Sequence, residues 1–180
     1  MDILNKKLAS GLVLVLLSSV ALLSGTLLSF AENDFVTQKQ KVIAAAIYKF
    51  IKFVDWSNTP EQNAHSFTVC LNQYDPAFKP LTSRSVQGKP IRLQILDKKA
   101  DLNQCQAIYL NGQNSIDLNT LKHKPVLTIS ENSGFLQQGG IIELGNHNNR
   151  LVFSINHGAA KKNGLNIGFQ LLALARKVED

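Results

Sequence analysis

From Leu8 to Ala31 the chain runs for 24 residues without a charged side chain, directly after Lys6 and Lys7. A water-exposed surface does not accommodate such a stretch, so it separates a targeting segment from the part that folds. Lys6 and Lys7 supply a basic start, Leu12 to Leu23 an apolar centre, and Ser29 and Ala31 the small residues of a cleavage site. This three-part pattern predicts a signal peptide over residues 1–31, cut after Ala31. The competing reading is an uncleaved anchor, since at 1.5 Å per residue the stretch can cross a bilayer core of about 30 Å. Eight of its 24 residues are Ser, Gly or Thr, which favours cleavage. In both readings the lysines stay cytoplasmic and the remainder is delivered across the inner membrane, which predicts a periplasmic protein. No cysteine stands at the exit to carry a lipid anchor.

The remaining residues, 32–180, number 149, the size of one domain that buries roughly two-thirds of the surface its unfolded chain exposes. A composition of 44% hydrophobic and 18% charged residues is globular and excludes a disordered or multi-span chain. Losing Asp2, Lys6 and Lys7 with the leader lowers the net charge from +6 to +5. Basic residues never run longer than Lys98–Lys99 or Lys161–Lys162, so there is no nucleic-acid stripe. Cys70 and Cys105 are the only cysteines. In an oxidising compartment an even count predicts one disulfide, closing about 35 residues and stabilising by roughly 3 to 4 kcal/mol. Two cysteines outside a Cys-x-x-Cys spacing make neither a zinc site nor a redox dithiol.

Periodicity predicts a long amphipathic helix over Gln38 to Val54, with Val42, Ile43, Ala46, Ile47, Phe50, Ile51 and Val54 at helical spacing, ending near Ser57, Asn58 and Pro60. Strands are expected at Phe67–Leu71, Ile91–Leu96, Ala107–Leu110 and Val126–Ile129, with short helices or turns at Asp75–Thr82 and Ile116–Leu121 between them. The alternation suggests βαβ units. Gly139–Leu144 and Arg150–Ile155, joined by a turn over Gly145–Asn149, read as an antiparallel hairpin. A last helical region follows Asn156, is interrupted at Gly164 and resumes through Phe169, Leu171, Leu172, Leu174 and Ala175. The fold class is α/β: a single compact domain whose small, largely parallel sheet carries an antiparallel hairpin and is flanked by helices.

Catalytic patterns are missing. The sequence has no Gly-x-Ser-x-Gly elbow, P-loop, His-Glu-x-x-His or dinucleotide glycine pattern, and His65, His123, His147 and His157 have no short ligand spacing. Neither metal nor cofactor is expected. Glu143 inside an apolar run is more simply a solvent-facing residue than an acid acting with His157. Gly139 and Gly140 fit a turn as well as a close ligand approach. Lys52, Asp55 and Trp56 close the first helix with a cation, a carboxylate and an aromatic, either as a partner contact or as a helix end packed on the domain.

The run from Ala46 to Trp56 resembles the opening helix of the YfiR-like family of periplasmic regulators, which reads Tyr-x-x-Phe-x-Lys-Phe-x-x-Trp-Pro. Tyr48, Phe50 or Ile51, Lys52, Phe53 and Trp56 fill the pattern, with Ser57 at the usual proline. Phe67 to Cys70 with Cys105, Val126 to Ser130 followed by Phe135 and Gly139 to Glu143, and Arg150 to Asn156 with Ala159 to Ile167 agree with it in order. The resemblance spans roughly Val42 to Ala175 and implies a small α/β domain, often dimeric, without catalytic activity. It further implies binding to the periplasmic domain of an inner-membrane diguanylate cyclase, which is held inactive, and sequestration by an OmpA-like outer-membrane lipoprotein. Some relatives carry a second cysteine pair, which this chain lacks.

The expected function is therefore a non-enzymatic periplasmic repressor that lowers cyclic di-GMP and biofilm formation. The alternative is a small-molecule-binding sensor subunit of another membrane signalling protein, suggested by Arg150, Asn156, Lys161 and Lys162 around the last strand and helix. Candidate binding residues are thus Lys52, Trp56, Arg150, Asn156 and Lys161, beside a disulfide between Cys70 and Cys105.

Overall fold

The structure is a computed structural model that describes residues 38–57, 59, 65–96, 102–112 and 116–180. The signal segment 1–31 and the turn residues Asn58 and Pro60 lie outside the described residues. The chain divides into two units, Met1–Lys39 and Gln40–Asp180. The second is the α/β domain.

Helix α1 spans residues 38–52. Gln40, Ile43, Ala44, Ile47, Phe50 and Ile51 are buried while Lys41, Lys49 and Lys52 are exposed, the stripe of a helix with a single core-facing side; Val42, expected in that stripe, falls outside it and is exposed. The helix ends earlier than Val54. The Phe53 N–H donates to both Lys49 and Phe50 carbonyls, at 3.2 and 3.0 Å, and strand β1 (Val54–Asp55) takes over. Trp56 then folds back, its indole N–H donating to the Ile51 carbonyl at 2.7 Å and so satisfying an acceptor the helix end leaves free. Its ring meets Phe67 edge-on, with centroids 4.9 Å apart. At the position of the usual proline, the Ser57 N–H and hydroxyl both donate to Asp55 Oδ1, at 2.9 and 2.6 Å, closing the turn by side-chain bonding. These hydrogen bonds hold the Asp55 carboxyl below its ordinary value.

The main sheet is built from β2 (Phe67–Leu71), β3 (Ser85–Val86), β4 (Lys89–Ile95), β5 (Ala107–Leu110), β6 (Leu127–Ser130), β7 (Ile142–His147), β8 (Arg150–Asn156) and β10 (Lys177–Glu179). Among the described residues its order is β10-β8-β7-β6-β5-β2-β4-β3. The pairs from β4 through β2, β5 and β6 to β7 are parallel, as is β10 with β8. Only β7 with β8 and β3 with β4 run antiparallel. Strand β9 (Asn166–Ile167) pairs separately with β1. At eight strands the sheet is larger than expected, because β3 and β10 add charged or very short edges that carry little apolar signal.

Both faces of the sheet are covered, which is why β5 and β6 are buried at every residue. Val69, Ala107, Tyr109, Leu127 and Ile129 join the α1 residues Ile43, Ile47, Phe50 and Ile51 in one core. Cys70, Ile108 and Leu110 point the other way, into a second cluster with Cys105, Leu121, Val126 and Phe135. The disulfide between Cys70 and Cys105, with Cα atoms 5.8 Å apart, lies in this second core.

The βαβ expectation holds for strand direction, and the short helices or turns expected between the strands are 3-10 helices and not α-helices. The crossovers carry 3-10 helices at Pro76–Ser83, Leu102–Gln104 and Leu118–Leu121. Asp75 and Asp117 cap the first and last by accepting from Ala77 and Asn119 N–H groups, at 2.8 and 3.0 Å. Pro80 cannot donate a backbone hydrogen bond, so the first cannot settle into an α-helix. The hairpin is tighter than expected: its strands run on to His147 and from Arg150, leaving Asn148 and Asn149 as a two-residue turn, both at positive φ. The last helical region is also cut short. Helix α2 covers only His157–Lys162, α3 only Phe169–Leu172, and the chain ends in β10. Gly164, at φ +75°, breaks the run into β9.

Candidate functional site: a basic-rimmed groove along the first helix

Helical geometry divides the residues of the opening motif between two environments. Phe50, Ile51 and Trp56 enter the core, whereas Tyr48 is half-buried and Lys52 and Phe53 are exposed. These last three line a groove of about 910 Å³ between α1 and the 3-10 helix Pro76–Ser83. Ala44, Ala45, Ala77, Pro80 and Leu81 give it an apolar floor, with Leu174 closing one side. Small alanines on α1 keep the floor open; Pro80 and Leu81 come from the capped crossover.

Its rim is cationic. Lys41, Lys49 and Lys52 follow α1, and Arg84 stands opposite at the end of the crossover. The Lys52 ammonium lies 5.7 Å and the Arg84 guanidinium 5.6 Å from the Tyr48 ring centroid, within cation–π reach. The Tyr48 hydroxyl donates to the Ser85 carbonyl at 3.3 Å, tying the ring to the residue after Arg84. No carboxylate lines the groove among the described residues.

Lys52 is thus part of a surface site. Trp56, 4% exposed, is a core side chain that ends the helix. The other three candidates do not converge. Arg150 sits at the hairpin tip opposite His147, about 20 Å along β8 from Asn156 at 3.3 Å per residue. Asn156 caps α2 by accepting from the Ala159 N–H at 2.7 Å, and its amide donates to the Leu136 carbonyl at 3.2 Å. The Lys161 ammonium lies 3.5 Å from Asp180, which also approaches His157 Nδ1 at 3.2 Å. Asn156 and Lys162 do share a smaller pocket of about 450 Å³ with Lys122 and His123.

The remaining candidates have structural partners. Glu143 accepts from the Leu136 N–H at 3.3 Å. A Cβ at Gly140 would fall 2.2 Å from the Phe135 ring, so ring packing accounts for that glycine; Gly139, at φ +93°, makes the turn. Tyr109 is stacked on Phe78 and donates to Glu131, and burial first, then Glu131, push its hydroxyl well above its ordinary value. Among the described residues no three His, Cys, Asp or Glu side chains are grouped to hold a metal, and no helix is long and apolar enough to cross a membrane.

Tyr48, Lys41, Lys49 and Arg84 escape sequence reasoning as a site. The lysines read as the solvent face of a helix, and Arg84 lies on a separate element that only the packing of the crossover brings to α1. No curated protein matches the chain. The model of the DUF4154 family, described as YfiR/HmsC-like, matches residues 40–176, which takes in α1 from Gln40, the groove and the sheet up to the last strand. The chain belongs to the YfiR/HmsC-like family.

Proposed function

We propose that the protein is a non-enzymatic periplasmic regulator that binds the periplasmic domain of an inner-membrane diguanylate cyclase and holds it inactive, lowering cyclic di-GMP and biofilm formation. Family membership supports a regulatory role in the periplasm. The observation that carries the binding role is the outward half of the α1 motif: Tyr48, Lys52 and Phe53 lie at a groove instead of in the core. Residues 1–31 act as the export signal in this reading.

Repression of this kind is differential binding. A regulator biases its partner only as far as its affinities for the inactive and active states differ, and about 3 kcal/mol gives roughly a 150-fold bias. An OmpA-like outer-membrane lipoprotein that sequesters the regulator removes this bias by mass action, and a homodimer would present two such surfaces. A second reading, a small-molecule sensor subunit of another membrane protein, rests on the pocket shared by Asn156 and Lys162.

Tagged protein used to capture partners from detergent-solubilised inner membranes should retain a GGDEF-bearing cyclase, identified by mass spectrometry. Deleting the gene should raise cyclic di-GMP and surface attachment. Unchanged cyclic di-GMP in the deletion strain, or capture of a histidine kinase or a transporter instead, would overturn the cyclase reading.

A further inference from the structure

We infer that the groove between α1 and Pro76–Ser83 binds a single-chain amphiphile with an anionic head group, a carboxylate or a phosphate. The chain lies on the floor of Ala44, Ala45, Ala77 and Leu81, and the head sits by Lys52 and Arg84. The groove is the one whose margin carries the proposed partner contact, and amphiphile binding to the purified protein is read without that partner.

Lys52 and Arg84 approach one Tyr48 ring from two different elements, both within 6 Å of its centroid. The two cations share one ring, whose quadrupole compensates only part of their charge. Neither has a carboxylate within ion-pair distance among the described residues. A bound anion supplies the countercharge, and the planar guanidinium of Arg84 suits the paired oxygens of a carboxylate or phosphate. Lys41 and Lys49 extend the positive rim along α1, so the same field attracts an anion from any approach to the groove.

The floor restricts the rest of the ligand. It consists of alanine, proline and leucine, with Phe53 and Leu174 at the margins, and offers no side-chain donor or acceptor. A sugar or a peptide main chain would leave its polar groups unpaired there, whereas an alkyl chain loses nothing by leaving water. A volume of about 910 Å³ falls within the range of small-ligand sites, roughly 300 to 1,000 Å³. Apolar floor and cationic rim together match a ligand with one charged end and one flexible apolar body.

Calorimetric titration of the purified protein with dodecanoate, dodecyl phosphate and dodecyltrimethylammonium, each below its micelle concentration, tests the assignment. Dodecanoate or dodecyl phosphate should bind at least about tenfold more tightly than the cationic amphiphile of equal chain length, and the tighter of the two identifies the head group. Ala45→Trp, at an exposed position on α1 that leaves the core untouched, should block binding by filling the floor. Lys52→Gln combined with Arg84→Gln should weaken it at least about tenfold while leaving the floor intact. The assignment is overturned if neither anionic amphiphile binds, if the cationic one binds equally well, or if Ala45→Trp binds as the unaltered protein does. It is overturned too if the groove variants lose only a captured protein partner.

Discussion

Trp56 and Lys52 are four residues apart and belong to different parts of the molecule. Trp56 gives its indole N–H to the Ile51 carbonyl and its ring to Phe67, so Trp56→Ala removes a helix-end bond and leaves a cavity. Its cost should be about 3 to 5 kcal/mol in urea unfolding, against about 0.5 kcal/mol or less for Lys52→Ala on the surface. Tyr109 makes a prediction in pH. Burial and Glu131 raise its hydroxyl, so the fold favours the protonated form. That contribution is complete below the unfolded value of about 10 and is lost as pH rises above it. Melting temperature should therefore fall in the alkaline range, and more gently in Tyr109→Phe; identical alkaline slopes for the two proteins would show that Tyr109 is not the group responsible.

Elements differed in how much of themselves the sequence displayed. The α1 stripe, the apolar runs of β2, β5 and β6, and the hairpin were legible because burial on one or both faces imposes a period on apolar residues. The disulfide was legible from cysteine count and compartment, and it joins β2 to the entry of β5 inside the second core. Replacing both cysteines by Ala should lower stability by about 3 to 4 kcal/mol and leave the sheet order unchanged. An unaltered urea midpoint would show that the bridge contributes nothing. The short helices at Pro76–Ser83 and Leu118–Leu121 were legible as helices or turns, but their 3-10 form was not, nor was β10. A 3-10 turn has too few residues to show a period, and Lys177 to Glu179 is a charged edge that becomes a strand only because β8 offers it a ladder.

For the whole molecule, the expected cleavage after Ala31 has the widest consequence, since it decides whether the exported domain is free or stays anchored. The intact mass of protein recovered from the periplasmic fraction should correspond to a chain beginning at Glu32; a mass retaining residues 1–31 would establish the anchor. The two cores on either face of the sheet then act together: one seats α1 and so presents Tyr48 and Lys52 outward, while the other, tied by the disulfide, supports the strands below. Arg84 reaches the groove because the crossover from β2 to β4 packs beside α1, a consequence of strand order.

By itself the sequence determined the class of fold, the burying face of α1, the hairpin and the cysteine pairing. All of these rest on local periodicity, composition or count. Tertiary structure alone decided that Trp56 is core, that Arg150 stands at the hairpin tip far along β8 from Asn156, and that Tyr48, Lys52 and Arg84 meet around an apolar groove. The physical reason is that a surface site gathers residues by the packing of separate elements, and no spacing along the chain records which exposed side chains that packing will bring together.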